Sequence, residues 1–277
     1  MCPIIQGLKI VRRIALFVPA KAATVYAAHE QSLFLGGELI PVVNAPNGVL
    51  QVPEISKVAA QKVSAEGTVD LETRLPTFTK NTITCDLYGA RSVVRDLGAI
   101  DPNEIGRSLG MSIAAEFDKS VMDALGDMTA QEITDAGGLT VDEIAKAVGG
   151  IRGAGETGPL YGVVAAAHYA TLMADIGSTA FAGGDVFQGQ ALRSGFFGNI
   201  MGVQLFVSSY MDDTNTGVTA ARACIFGADA MRIALQKNVD LEIARRAEAV
   251  GNDVVASLHA AVGVIDAGRG RMLVDAA

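Results

Sequence analysis

The sequence has no tryptophan, few other aromatic residues and few charges, and these shortages limit what the protein can be. Aromatic residues make up 5% of its 277 residues and charged residues 19%, below the ~25% charge of an ordinary globular protein. Hydrophobic residues reach 50%, which excludes disorder as the overall state. A chain this apolar has to bury an unusual share of its surface in a membrane, in a large core or between subunits.

Long apolar runs are also scarce, which argues against the membrane. Thr157–Ala174 and Ser194–Met211 approach the ~18–20 residues of a spanning helix, but both contain glycine and polar residues. The apolar run Ile14–Val18 is shorter than the ~7–15 residues of a signal peptide. We therefore expect a protein that is made in the cytoplasm and has no membrane partner.

Cysteine pairs and net positive charge are missing as well. Cys2, Cys85 and Cys224 are scattered without a CxxC spacing, so neither a disulfide framework nor a zinc site is predicted. The net charge of −8 argues against a broad nucleic-acid-binding face. Four basic residues nonetheless precede the first acid, Glu30, and form a local positive segment: Lys9, Arg12, Arg13 and Lys21.

The motifs that would support an enzyme are incomplete. Gly153, Gly155 and Gly158 spell GxGxxG, but the predicted order is helix, glycines and strand, the reverse of a dinucleotide site. His168 and Asp175 are seven residues apart, which allows an acid/base pair across two helical turns, although packing or capping is the stronger interpretation. We therefore predict no catalytic, cofactor-binding or metal-binding residues and no enzymatic activity.

A long hairpin is predicted in the first third of the chain. Val49–Val63 is extended, Ser64–Arg74 is polar, and residues alternate in character from Phe78 to Tyr88. Because an isolated two-stranded ribbon is only marginally stable in water, this one should lie on something else. An edge of its own sheet and the surface of a neighbouring subunit are the two alternatives.

The clearest helix begins after Asp101, with Pro102 in its first position, and ends at Gly126. Gly106 and Gly110 lie within it and predict close approach by another backbone. Its apolar residues recur every four positions: Ile105, Leu109, Ile113, Phe117, Val121 and Leu125.

The rest of the chain alternates helix and strand and then returns to strands. A capping box at Thr140–Glu143 begins a second helix, and Leu160–Ala165 predicts a buried strand. The region from about Ala136 to Leu235 therefore indicates a compact α/β unit. Val254–Val264 has its apolar side chains on one face and predicts a long strand that packs along the long helix.

Five stretches have the texture of one known family: TVYAAHEQSLFL (Thr24–Leu35), VLQVPEISKVAAQKVSAEG (Val49–Gly67), DPNEIGRSLGMSIAAEFDKSVMDAL (Asp101–Leu125), LYGVVAAAHYATLMADIG (Leu160–Gly177) and DVVASLHAAVGVID (Asp253–Asp266). Together their order resembles the major capsid protein of tailed double-stranded DNA bacteriophages, the Hong Kong ninety-seven type fold. The resemblance covers nearly the whole chain. It implies an α+β fold in five parts: an N-terminal arm (1–47), an extended β-hairpin loop (48–98), a peripheral domain with a spine helix (99–135), an α/β axial domain (136–235) and return strands of the peripheral domain (236–277).

The resemblance also implies a function. The chain would be a structural protein that assembles as pentamers and hexamers into an icosahedral shell around double-stranded DNA, in the virion and, during assembly, in the host cytoplasm. Its expected partners are further copies of itself, a separate scaffolding protein, a portal protein, a decoration protein and the packaged DNA. Arm-like sequence begins almost at Met1, which is why a separate scaffolding protein is expected. The basic segment would face inward. Covalent cross-linking between subunits, which is known in part of the family, needs a lysine and an asparagine partner, and Lys57, Lys62 and Lys80 are available for it.

Two other functions fit the same residues. The first is the shell of an encapsulin-like nanocompartment, which has the same fold and encloses an enzyme as cargo. The second, from another class, is a soluble α/β enzyme that uses His168 and Asp175.

Overall fold

A computed structural model describes residues 20–55, 60, 75–95, 102–133, 139–177, 199–211, 221–248 and 250–275. The α-helices in these residues are α1 (20–31), α2 (Pro102–Leu125), α3 (Val141–Gly153) and α4 (Tyr169–Gly177). The strands are β1 (Val42–Asn44), β2 (Val49–Ile55), β3 (Phe78–Thr84), β4 (Asp86–Arg95), β5 (Ala130–Ile133), β6 (Leu160–Ala165), β7 (Asn199–Ile200), β8 (Val203–Ser208), β9 (Ala221–Gly227), β10 (Met231–Arg246), β11 (Gly251–Val264) and β12 (Gly270–Asp275). Short 3-10 turns cover Ala166–His168 and Ala267–Arg269.

The first sheet is long and narrow, with the strand order β1-β10-β11-β4. β10 and β11 form an antiparallel hairpin, β4 runs antiparallel to β11, and β1 runs parallel to β10. The alternating pattern predicted that the apolar side chains of β11 share one face. Four of them are buried: Val254, Ala256, Leu258 and Ala260. α2 packs against β11 and β4, so the predicted packing of a long strand along the long helix is confirmed.

α2 supplies the apolar stripe that covers this sheet. Leu109, Ile113, Phe117, Val121 and Leu125 are all buried. The ring of Phe117 meets the ring of Tyr88 on β4 edge-on, with 5.7 Å between centroids and 88° between planes. Each large apolar side chain removed from water contributes about 1.5–3 kcal/mol, so this stripe is a main source of stability for the unit.

α1 packs directly on α2 at the two glycines. A Cβ added at Gly106 would lie 2.5 Å from the carbonyl oxygen of Ala20, and one added at Gly110 would collide with the carbonyl oxygen of Thr24. Only the absence of side chains lets the two helix backbones come this close. The prediction that another backbone approaches at Gly106 and Gly110 is confirmed, and the backbone is that of α1.

The second sheet is mixed and has the order β5-β12-β9-β6-β8-β7. β6 is parallel to β8, β5 is parallel to β12, and the other pairs are antiparallel. α3 packs on this sheet, and the hydroxyl of Thr140 accepts a hydrogen bond from the Glu143 backbone N–H at 3.4 Å, as the capping box predicts. Its separate core consists of Leu139, Val141, Ile144, Ala147, Ile151, Leu160, Val164, Leu172, Ile200, Val203, Leu205, Ala223, Ile225 and Leu273.

The strand pairing groups the segments of the chain differently from the domain boundaries that the sequence predicts at residues 98, 135 and 235. β12 comes from the tail but pairs with β9, and β5 pairs with β12, so both lie in the second sheet. β10 begins at Met231, inside the stretch assigned to the α/β unit, yet belongs to the first sheet. The predicted strand through Cys85 is two strands that pair with different partners. Alternation predicts a strand but carries no information about its partner, which lies far away in sequence. The five-part domain assignment itself stays a prediction.

Candidate assembly surfaces

The ribbon formed by β2 and β3 is a two-stranded sheet of its own, separate from both larger sheets. Val49 pairs with Thr84 at its base, and Ile55 pairs with Phe78 at the far end of the described register. An edge position on either larger sheet, one of the two alternatives that the sequence left open, is therefore wrong for these residues. Residues 56–59 and 61–74 lie outside the described part, as do the predicted tip and two lysines considered for cross-linking.

The base of this ribbon is held by its own subunit. Ile83 is buried in a small cluster with Ala45, Ala234 and Ala261, and the side-chain amide of Asn81 donates to the Ile265 carbonyl at 2.9 Å. Ile83 packs over Gly263, where a Cβ would lie 2.6 Å from the isoleucine side chain. The ribbon therefore leaves the body of the molecule from a fixed point.

Beyond this base the ribbon is exposed. Phe78, Thr79 and Lys80 are all exposed, and Phe78 keeps 66% of its accessible surface. Leu75, three residues before β3, keeps 86%. Large apolar side chains in this position are costly in water and typical of surfaces that bind another protein.

A second exposed surface runs along β4, which forms one edge of the first sheet. Its residues alternate, with Leu87, Arg91 and Val93 pointing away from the core. Arg91 makes a two-pronged ion pair with Asp253 on the adjacent strand, in which its Nε donates at 2.7 Å. That ion pair holds the pKa of Asp253 below its ordinary value. The edge thus presents apolar side chains between fixed charges.

A buried carboxylate fastens the segment after α1 to α2. Asp118 accepts from the hydroxyl of Ser32 at 2.6 Å and from the backbone N–H of Leu33 at 3.0 Å. Burial raises the pKa of Asp118, while these hydrogen bonds act in the opposite direction. The ion pair between Lys21 and Asp240 ties α1 to β10 as well. The described part of the predicted arm is therefore packed on its own subunit.

Asp175 and His168, the candidate enzyme residues, lie at the ends of helices. The carboxylate of Asp175 accepts from the backbone N–H of Val141 at 2.8 Å, at the first residue of α3. His168 is half-buried in the 3-10 turn before α4. α3 ends at Gly153 and β6 begins after Gly158, so the glycine motif has the helix-to-strand order that argued against a dinucleotide site.

The described residues contain neither a metal-binding cluster nor a membrane-spanning helix. In those ranges no group of three or more His, Cys, Asp or Glu side chains is arranged to hold a metal ion. No helix of the described chain is long and apolar enough to span a membrane.

The cysteines and the basic segment complete the predicted residues. Desolvation raises the pKa of the thiols of Cys85 and Cys224. Three of the four predicted basic residues, Lys9, Arg12 and Arg13, lie outside the described ranges.

Sequence reasoning missed two buried carboxylates. Asp118 pairs with Ser32 across 86 positions, and Glu156 pairs with Arg269 across 113 positions. For Asp118 the available signal was its place four residues after Ala114 and four before Met122, both of which are apolar and buried. A charge in such a row on a helix indicates a buried partner. The local sequence of Glu156 contains no comparable signal.

Solved structures identify the class to which this fold belongs. The capsid of Cyanophage P-SCSP1u is similar with a TM-score of 0.68 at 15% identity, over 89% of each chain. A structure of Mycobacterium phage Che8 matches with 0.63 at 18% identity, over 82% of this chain and 84% of that one. A virus-like particle from Pyrococcus furiosus matches with 0.63 at 11% identity, over 92% and 97%. The fold is that of viral capsid proteins.

A family model then places the chain within this class. The model described as phage capsid protein matches residues 92–271, which run from the end of β4 through α2 to the start of β12. The chain belongs to this phage capsid protein family. No curated protein sequence matches it.

The resemblance seen in the sequence and the α+β capsid fold are thereby confirmed. The protein is a bacteriophage capsid shell protein, which assembles with copies of itself and belongs to the virion. Neither the nanocompartment nor the soluble enzyme is favoured.

Proposed function

We propose that the chain is the major subunit of an icosahedral phage shell and assembles as pentamers and hexamers around double-stranded DNA. The observation that carries this proposal is the β2–β3 ribbon, which is anchored at Ile83 and exposed at Phe78 and Leu75. A neighbouring copy is the occupant that can cover the same ribbon on every subunit. Closed symmetric assemblies repeat such a contact without leaving any copy of it uncovered.

The energetic argument rests on the exposed apolar side chains. Burying Phe78 and Leu75 against a neighbour would contribute about 1.5–3 kcal/mol for each side chain. Leu87 and Val93 on the β4 edge offer a surface of matching character. Because every subunit both presents and receives a ribbon in this arrangement, the gain recurs around each ring.

The two sheets correspond to the two structural roles in the shell. The first sheet with α1 and α2 would form the peripheral part, and the second sheet with α3 and α4 would form the axial part near the symmetry axes. Relative to the boundaries predicted from the sequence, this assignment moves β5 and β12 to the axial part and the start of β10 to the peripheral part. Residues 1–47 would be the arm.

The remaining partners follow from the charge distribution and from the shell's task. Net charge of −8 keeps the protein from adhering strongly to DNA, and Lys9, Arg12 and Arg13 would supply a local inward contact. A separate scaffolding protein, a portal protein and a decoration protein would complete the particle, which assembles in the host cytoplasm. The subunit would be a structural protein without enzymatic activity, and the contact of Asp175 with the Val141 backbone N–H fits that role.

Electron microscopy of the purified protein tests this proposal. We expect closed shells from the parent chain, alone or with its scaffolding partner. The double variant Leu75→Ala with Phe78→Ala should keep the fold, judged by circular dichroism, and lose shells. Thr82→Ser, an exposed change on the same strand, is the matched control. A monomer or dimer of the parent chain under every assembly condition would contradict the proposal.

A further inference from the structure

Three chain crossings connect the two large sheets, and all three meet at one place. Residues 126–129 lead from α2 to β5, residues 228–230 lead from β9 to β10, and residues 265–269 lead from β11 to β12. The relative orientation of the sheets therefore depends on how these short segments contact one another, together with the hydrophobic core that the two sheets share with α2.

Backbone hydrogen bonds join the three crossings. The N–H groups of Ile265 and Asp266 donate to the Ala230 carbonyl at 2.8 and 3.2 Å. The hydroxyl of Thr129 donates to the Ala267 carbonyl at 2.9 Å, and the Thr129 N–H approaches the same oxygen at 3.4 Å. Every crossing is thus bonded to the segment that contains the 3-10 turn at Ala267–Arg269.

One side chain in this turn links the two structural units. The Nε of Arg269 donates to the carboxylate of Asp266 at 3.0 Å, just after the end of β11. Its Nη1 lies 3.3 Å from the carboxylate of Glu156, which belongs to the connection between α3 and β6. The planar guanidinium group of Arg269 therefore binds Asp266, next to the first sheet, and Glu156, next to the second sheet, in a fixed geometry.

The carboxylate of Glu156 is held tightly on its other sides. Its side chain is 3% exposed, and its second oxygen accepts from the Gly158 backbone N–H at 2.7 Å. A Cβ at Gly227 would lie 2.9 Å from this side chain, so β9 also confines it. Because the Glu156 carboxylate has so little freedom, its ion pair with Arg269 fixes the position of Arg269 relative to the second sheet.

We propose that Glu156, Arg269 and Asp266 are positioning residues that fix the angle between the two sheets and thereby the curvature of the shell. The inference rests on the proposed function as a shell subunit, because the angle within one subunit sets the angle between its neighbours. A role in stability alone would lower the unfolding temperature of a variant without changing the size of its particles.

Particle size tests the proposal. Glu156→Gln keeps the acceptor for Gly158 but places an amide N–H₂ against Arg269, and Arg269→Lys keeps the charge but cannot hold both acids. We expect both variants to give shells with a broader or shifted diameter distribution by cryo-electron microscopy. Arg246→Gln, which breaks an exposed ion pair with Glu248 in the β10–β11 turn, is the control and should give parental diameters. Parental diameters from both test variants would overturn the inference.

The angle can also be measured without assembly. Spin labels on cysteines introduced at Glu242 on β10 and Gln204 on β8 report the distance between the sheets by pulsed electron paramagnetic resonance, in a background with Cys2 and Cys85 replaced by serine. We expect one narrow distance distribution in the parent and a broader one in Glu156→Gln or Arg269→Lys. An equal width in all three would overturn the inference, whereas absence of shells from the parent would contradict only the proposed function. If Glu156→Gln unfolds the subunit, Arg269→Lys alone decides.

Discussion

Two antiparallel ribbons of this protein follow the same local rules and end in opposite environments. β10 and β11 pair from one end to the other with two register shifts beside Lys237, α2 packs on β11, and β1 and β4 lie on the flanks of the pair. β2 and β3 pair in one continuous register but form a separate sheet whose outer residues are exposed. The difference teaches that alternation produces the ribbon, while a covering partner decides whether it belongs to the subunit's core or to its assembly surface.

The largest expected effect comes from the covered ribbon. Phe117→Ala removes the ring that packs on Tyr88 in the fully buried layer between α2 and the sheet. We expect the free energy of unfolding to fall by about 3–5 kcal/mol, because the transfer term and the cavity add. Urea unfolding followed by circular dichroism measures it. A loss close to that of a surface substitution would mean that this layer is not the core of the unit.

The buried carboxylate on α2 gives the next effect. Asp118→Ala removes the acceptor for Ser32 and leaves the Leu33 N–H without its partner. We expect a loss of about 1–3 kcal/mol in the free energy of unfolding. Faster hydrogen exchange in residues 20–35 than in β10 and β11 would locate the loss in the N-terminal segment. Ser112→Ala, an exposed position on the same helix, is the control. Uniform exchange across both regions would contradict this assignment.

The same carboxylate predicts an unusual pH dependence. Because burial raises the pKa of Asp118 above its ordinary value of 3.8, the folded state holds this proton to higher pH than the unfolded chain. Its contribution to stability is therefore largest at low pH and declines as pH rises from 3.8 through the raised pKa. Relative to Asp118→Asn, the parent should therefore lose free energy of unfolding as the pH rises from 3.8 through the raised pKa of Asp118. A difference that stays constant with pH would refute it.

The smallest effect on stability is expected at the exposed ribbon. Phe78→Ala removes a ring as large as that of Phe117, but one that is 66% exposed in the subunit. The free energy of unfolding of the unassembled subunit should change by no more than about 0.5 kcal/mol. Light scattering should show that assembly is weakened all the same. A loss comparable to that of Phe117→Ala would mean that the ribbon is covered by its own subunit, and the comparison of the two ribbons would fail.

Sequence reasoning was most successful where the controlling interaction is local. The bounds of α2 and the start of α3 follow from proline, capping residues and apolar spacing within a few positions. Gly106 and Gly110 correctly predicted a close backbone contact, since glycine within a regular helix is costly without one. The order of helix, glycines and strand at Gly153–Gly158 was likewise readable along the chain.

Sequence reasoning was least successful where two distant segments meet. The sequence held no sign that β12 leaves the sheet of β10 and β11, because the register partners of β12 on β9 are 44 or more positions earlier, as at Gly270 and Phe226. The contacts of Asp118 with Ser32 and of Glu156 with Arg269 depend on the same kind of long-range meeting. A periodic pattern along the sequence contains no information about which distant residues meet in space.

By itself, the sequence determined the long helix, the start of α3 and the long strand β11, that the chain carries more apolar residues than an ordinary monomer, and which family it resembles. These properties arise from neighbouring residues and from composition, both of which are written along the chain. Only the tertiary structure decided which strands share a sheet, which acids are buried and paired, and which ribbon is left exposed. These outcomes depend on the partner that covers each surface, and a partner is defined by proximity in space.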